Sequence, residues 1–152
     1  MQNRTDSNRI DLALLVLRVV VGVVFLAHGS QKLFVFGFGG VTHAFAGMGV
    51  PAPALTGPLT ALVEFFGGLA LITGLLTRIA GLGITLTMLG AISFVHLSQG
   101  FFAPKGIELP LTLLGGAITL AIAGAGRFSL DHLIAARRGV SAIEPARARR
   151  VA

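Results

Sequence analysis

The chain has 152 residues, 54% of them hydrophobic and 12% charged, with a mean hydropathy of +0.86. A soluble domain carries about twice that charged fraction, so the composition is that of a membrane protein. Cysteine is absent, which excludes disulfides, thiolate metal sites and cysteine nucleophiles, and the formal charge of +6 lies mostly at the two ends.

A pI near 11.6 would suggest nucleic acid on a soluble chain. No basic stripe with interleaved aromatics exists outside the apolar segments, so no nucleic-acid partner is expected. The arginines fit the positive-inside rule and attraction to anionic lipid instead. Tryptophan and tyrosine are absent, leaving Phe34, Phe36, Phe38, Phe101 and Phe102 to mark the membrane interface.

In chain order, residues 1–11 read as a polar tail ending in Asp11, placed to cap the helix that follows. The first span is expected at 12–34, too long for a cleaved signal segment and followed by three more. Arg18, Gly22, Phe25, Gly29 and Lys32 fall on one helical stripe, with His28 at its border. A span that is apolar except along one seam turns that seam toward protein. The run GFGGVTHAFAGMGVPAP is too broken to span, and within it 41–48 reads as a short interfacial helix with His43 on its wet face. Pro51, Pro53 and Pro58 predict an extended approach to a second span at 59–76. Thr77 and Arg78 form the turn to a third at 79–97, and a loop leads to a fourth at 109–125. Residues 12–131 thus form one membrane domain, with an amphipathic basic exit over 127–138 and a basic tail over 132–152 containing the surface residue His132.

Loop charge orients the bundle: nine arginines, among them Arg4, Arg78, Arg127 and Arg150, fall on one side, and only Lys32 and Lys105 on the other. The expected fold is all-α, a polytopic transmembrane four-helix bundle with both termini cytoplasmic. Gly67 and Gly68 share a face with Glu64, and Gly83/Thr87/Ala91 and Ala117/Ala121/Ala125 form small-residue ladders suited to close packing. HGSQKLF (28–34) and HLSQGFF (96–102) suggest an internal duplication.

Depth arithmetic supplies the candidate site. His28 and Glu64 each lie about six residues, or ~9 Å, inside the outer ends of their spans. His96 sits one turn below such an end and Glu108 at one, with Gln31, Lys32 and Gln99 close to the same layer. Charges in hydrocarbon cost about 2.5–3.5 kcal/mol each unless they pair. The cluster therefore reads either as a helix lock or as a polar pocket that binds a headgroup and moves protons, with His28, Glu64 and His96 as proton-handling groups. Gln31, Lys32, Gln99 and Glu108 are the candidate headgroup-binding residues. Arg18, Arg78, Arg127 and Asp131 read as structural charges, with Arg18 either snorkelling inward or pairing with Asp131. No metal site and no nucleotide loop is expected.

The ordered set Arg18, HGSQKLF, GVPAP (49–53), VEFFGGLALITGLLTR (63–78), FVHLSQGFF (94–102), ELPLTLLGG (108–116) and GAGRFSLD (124–131) resembles the DoxX family of small four-helix bacterial membrane proteins. The resemblance covers about 12–131 and implies a multi-pass inner-membrane protein related to the quinone-linked membrane subunit of thiosulfate:quinone oxidoreductase. Arg18, His28, Lys32, Glu64, His96 and Glu108 match the family's polar pattern, whereas Ala27 and Phe128 stand where relatives often carry Trp and Tyr. Without cysteine, any sulfur chemistry belongs to a partner. The expected function is the membrane subunit of a quinone-linked redox system, not catalytic alone, with quinone as cofactor, membrane lipid and a redox protein as partners, and homo-oligomerisation open. A small proton or solute transporter and a non-catalytic scaffold are the alternatives.

Overall fold

The computed structural model describes residues 2–137, and every regular element among them is helical. Helix α1 (Gln2–Ser30) passes through a π-helical segment (Gln31–Phe36) into α2 (Gly37–Gly47). Then follow α3 (Pro53–Thr73), α4 (Thr77–Ala91), α5 (Glu108–Ala123) and α6 (Leu130–Arg137). A second π-helical segment (Ile92–His96) and a 3₁₀ turn (Leu97–Gln99) prolong α4. Among the described residues, three helical runs are long and apolar enough to cross a membrane: Asp6–Gly47, Pro53–Thr73 and Thr77–Gln99. The fourth, α5, has 16 residues, about 24 Å of helix against a hydrocarbon core of about 30 Å.

Several boundaries differ from the sequence expectation. The first helix starts at Gln2 rather than 12, so Asp11 is interior and does not cap it. Its carboxylate instead accepts the Arg127 backbone N–H at 3.0 Å. The interfacial helix starts at Gly37, not 41, continuous with the span before it. Pro53 begins α3 and Pro58 lies inside it, so the expected extended approach is helical. Proline's fixed φ suits a first helical turn; Pro58 sits farther in. Thr77 and Arg78 belong to α4, and the turn is Gly74–Leu76, with φ of +70° at Gly74 and +51° at Leu76. The fourth span runs Glu108–Ala123 rather than 109–125. Of the predicted basic exit, α6 covers Leu130–Arg137, and 138–152 lie outside the described residues.

The bundle is two antiparallel pairs, α1 on α3 and α4 on α5, joined through α3–α4 and α1–α5 contacts, with α2 laid on α3. The predicted stripe on α1 faces this interior: Arg18 and Phe25 are 1% and 2% exposed, and Gly22 and Gly29 are buried. Glycine is required there. A Cβ at Gly22 would lie 2.8 Å from the Gly68 carbonyl, one at Gly68 would collide with the Leu26 backbone, and one at Gly29 with the backbone of Phe65. The second pair uses Gly81, whose Cβ would fall 2.8 Å from Ala121 N, so two members of the predicted α5 ladder are at a contact. Val21, Phe25, Leu71, Ile84, Met88, Leu114, Ala117 and Leu120 fill the space between the pairs.

Gly68→Ala is expected to lower stability by about 1–3 kcal/mol, the range for overpacking a fitted contact. Gly90→Ala, where an added Cβ meets nothing within 4 Å, should cause no loss. Unfolding in mixed micelles followed by circular dichroism distinguishes the two.

Candidate functional site

The α1–α3 approach sets one ion pair. Lys32 Nζ lies 2.5 Å from Glu64 Oε2, with side-chain exposures of 19% and 5%. Lys32 comes from the π-helical segment, where the wider turn changes the direction in which successive side chains leave the axis. Glu64 comes from mid-α3, on the face that carries Gly67 and Gly68. His28 is the other titratable side chain near this carboxylate. Its ring is exposed, and Nδ1 lies 2.9 Å from the Val24 carbonyl. A carbonyl can only accept, so Nδ1 carries the proton and Nε2 keeps a free lone pair in the neutral ring. Phe34 and Phe65 meet edge-to-face beside the pair, with centroids 5.6 Å apart.

The other predicted residues at this end gather elsewhere. His96 Nδ1 lies 2.6 Å from the Lys105 carbonyl, which fixes the same tautomer as in His28. His96, Gln99 and Lys105 line an open groove together with Met48 and Phe94. Gln31 is exposed, and Glu108 is half-buried at the start of α5 with its backbone N–H on the Phe101 carbonyl. Lys32–Glu64 is the ion pair that joins two helices among the described residues. No three His, Asp or Glu side chains among those residues come close enough to share a metal ion.

At the opposite end the predicted structural charges converge. Arg18 Nη2 donates to the Phe128 carbonyl, while Nε and Nη1 have no partner among the described residues. Nη1 lies against Gly74, where a Cβ would overlap it. Asp131 accepts the Leu76 and Thr77 backbone N–H groups at 2.8 and 3.1 Å, and its own N–H donates to the Gly74 carbonyl. Its charge also acts on Arg18. Arg18 thus reaches toward the arginine end, where its guanidinium is buried and bonds to the Phe128 carbonyl rather than to Asp131. Arg127 donates from Nη1 to Asn8, and Arg78 lies against Gly124. Sequence reasoning missed Asp11, Thr77 and Ser129 as parts of this layer. Their contacts reach across the chain, as from Asp11 to Arg127, and leave no local spacing signal.

The DoxX family model matches residues 13–97, more than half of the chain. This chain belongs to the DoxX family. It is 36% identical over 126 residues to the inner membrane protein YqjF of Escherichia coli, covering 82% of this chain and 93% of that protein. It is 33% identical over 124 residues to the "Putative oxidoreductase CatD" of Bacillus subtilis, covering 82% and 88%. An uncharacterized membrane protein of Mycobacterium tuberculosis is 33% identical over 132 residues, with 80% of each chain covered. No solved structure matches at a comparable level. The DoxX match contains Arg18, His28, Lys32, Glu64 and His96, and stops before α5.

In this DoxX protein, Lys32→Ala leaves a carboxylate sealed in the bundle without its counter-charge. The expected loss is about 3 kcal/mol, the low end for breaking a buried pair. Replacing Lys32 and Glu64 together by leucine should restore most of it, and a double-mutant cycle in mixed micelles measures the coupling.

Proposed function

We propose that this DoxX protein is the membrane subunit of a quinone-linked redox system, with the headgroup received at the Lys32–Glu64–His28 cluster. The observation that carries this reading is the asymmetry of the ion pair: Glu64 is sealed, Lys32 is partly accessible, and the neighbouring His28 presents a lone pair outward. A quinone headgroup offers two carbonyl oxygens and an apolar ring, and the donor set suits it: an ammonium, a proton acceptor and the Phe34–Phe65 edge. The name of the Bacillus relative is in keeping with a redox role.

In this reading Lys32 stabilises negative charge on a headgroup oxygen, and His28 Nε2 accepts or returns the proton. Glu64 holds Lys32 in place and keeps the local charge balanced as it does so. Bound quinone supplies the two-electron chemistry. Nothing in this sequence carries a flavin or iron–sulfur motif, so electrons come from a partner redox protein. His96, Gln99 and Lys105 form a second polar surface at the same end, and Glu108 opens the helix beside it. By the positive-inside rule this end faces away from the cytoplasm of a bacterial inner membrane. The apolar layer of Phe25, Leu71, Ile84 and Met88 separates it from Arg18, which favours a one-sided site over a transport path.

Protein purified in mild detergent should retain quinone detectable by mass spectrometry of extracted ligands. Glu64→Gln and His28→Ala should each reduce the retained amount about tenfold, equivalent to ~1.4 kcal/mol. Equal retention by wild type and both folded variants would count against the site.

A further inference from the structure

At the arginine end, independent of the quinone reading, the chain's own Asp131 occupies a seat built with more donors than a carboxylate uses. The seat lies at the start of α4, where the Leu76 and Thr77 N–H groups both point at the Asp131 carboxylate. Helix N-termini favour anions, but this one has further groups. Thr77 is fully buried with Oγ1 unpartnered, and Arg18 is 1% exposed with Nε and Nη1 unpartnered among the described residues. Buried polar atoms are nearly always hydrogen-bonded. Two carboxylate oxygens serve two backbone donors and leave a hydroxyl and two guanidinium nitrogens.

We propose that this seat is an oxyanion site for a phosphate group, with Asp131 as its tethered occupant and α6 as the plug that Asp131 holds in place. A phosphate brings more acceptor oxygens than a carboxylate: two replace those of Asp131, and the others reach toward Thr77 Oγ1 and Arg18. Its arrival expels Asp131. Helix α6 buries no residue and is fastened near its start by Asp131 and by Ser129, whose hydroxyl accepts the His132 N–H, so it then lifts from the bundle. The phosphate can be free or a lipid headgroup.

Hydrogen exchange on the full chain in nanodiscs tests this. In phosphatidylcholine discs and phosphate-free buffer, Asp131→Ala should speed exchange at Leu76, Thr77 and the α6 amides about tenfold, the loss of one charge-assisted bond. Inorganic phosphate should then restore protection at Leu76 and Thr77 but not over Leu130–Arg137. Discs containing phosphatidic acid distinguish the lipid source: protection appearing there at lower phosphate, or without any, assigns the headgroup. Arg18→Lys, which keeps the charge but loses the planar fork, should weaken the phosphate response. If phosphate and phosphatidic acid both leave Leu76 and Thr77 unprotected in Asp131→Ala, or if α6 stays protected in that variant, the proposal fails.

Discussion

The contact on which this structure depends is the approach of α1 to α3 at backbone distance. Gly22 meets Gly68, and Gly29 meets the backbone of Phe65, with no room for a β-carbon at any of the three glycines. In lipid there is little hydrophobic gain from burying one apolar helix against another, so close van der Waals packing must hold the pair. The same approach brings Lys32 and Glu64 to 2.5 Å. Were the helices at an ordinary separation of 8–10 Å, set by larger side chains, water or lipid would enter between the charges. The ion pair is thus a consequence of the glycines as much as of the charges, and both elements lie on the one stripe that starts at Arg18.

The two ends of the bundle handle charge differently. At the lysine end a carboxylate and an ammonium satisfy each other, and the imidazoles are held by backbone carbonyls at one nitrogen with the other left open. At the arginine end backbone groups do most of the pairing: Asp11 on the Arg127 N–H, Arg18 on the Phe128 carbonyl, Asp131 on the first N–H groups of α4. That arrangement fastens the Gly124–Asp131 segment across the mouth of the bundle. One end is therefore built to present proton-accepting atoms and the other to be covered, with an apolar core between them.

Much of this was legible in the sequence because helical periodicity reports which side chains share a face. The stripe from Arg18 to Lys32 and the Glu64–Gly67–Gly68 face both turn inward as that rule demands. Rise per residue also gives depth, which placed Lys32 and Glu64 at one level. What depth arithmetic lacks is direction around the axis. His96 closes a π-helical segment and its ring bonds to the Lys105 carbonyl in the following loop, apart from the Lys32–Glu64 pair. Local rules failed where distant partners override them. Asp11 reads as a cap because an apolar run follows it, yet its partner lies 116 residues away. Polar residues 2–10 continue the helix, and Pro58 is tolerated inside α3.

The two halves of the chain show where the chemistry concentrates. Each half has an HxSQ motif accompanied by a π-helical segment, and in each the first long helix packs on the second. Each second helix also carries a glycine pair, Gly67–Gly68 and Gly115–Gly116. Three residues before the first pair stands Glu64, buried and bonded to Lys32. Three residues before the other stands Thr112, exposed and donating to the Glu108 carbonyl of its own helix. The position corresponding to Lys32 in the second motif is Gly100. The second half therefore repeats the frame without the ion pair. If acid and base served only to lock a helix pair, α4 and α5 would need them as much as α1 and α3. They pack on Gly81, Ala117 and Ala121 instead, so small residues suffice for packing there, which is in keeping with the headgroup site proposed for the charged pair of the first half.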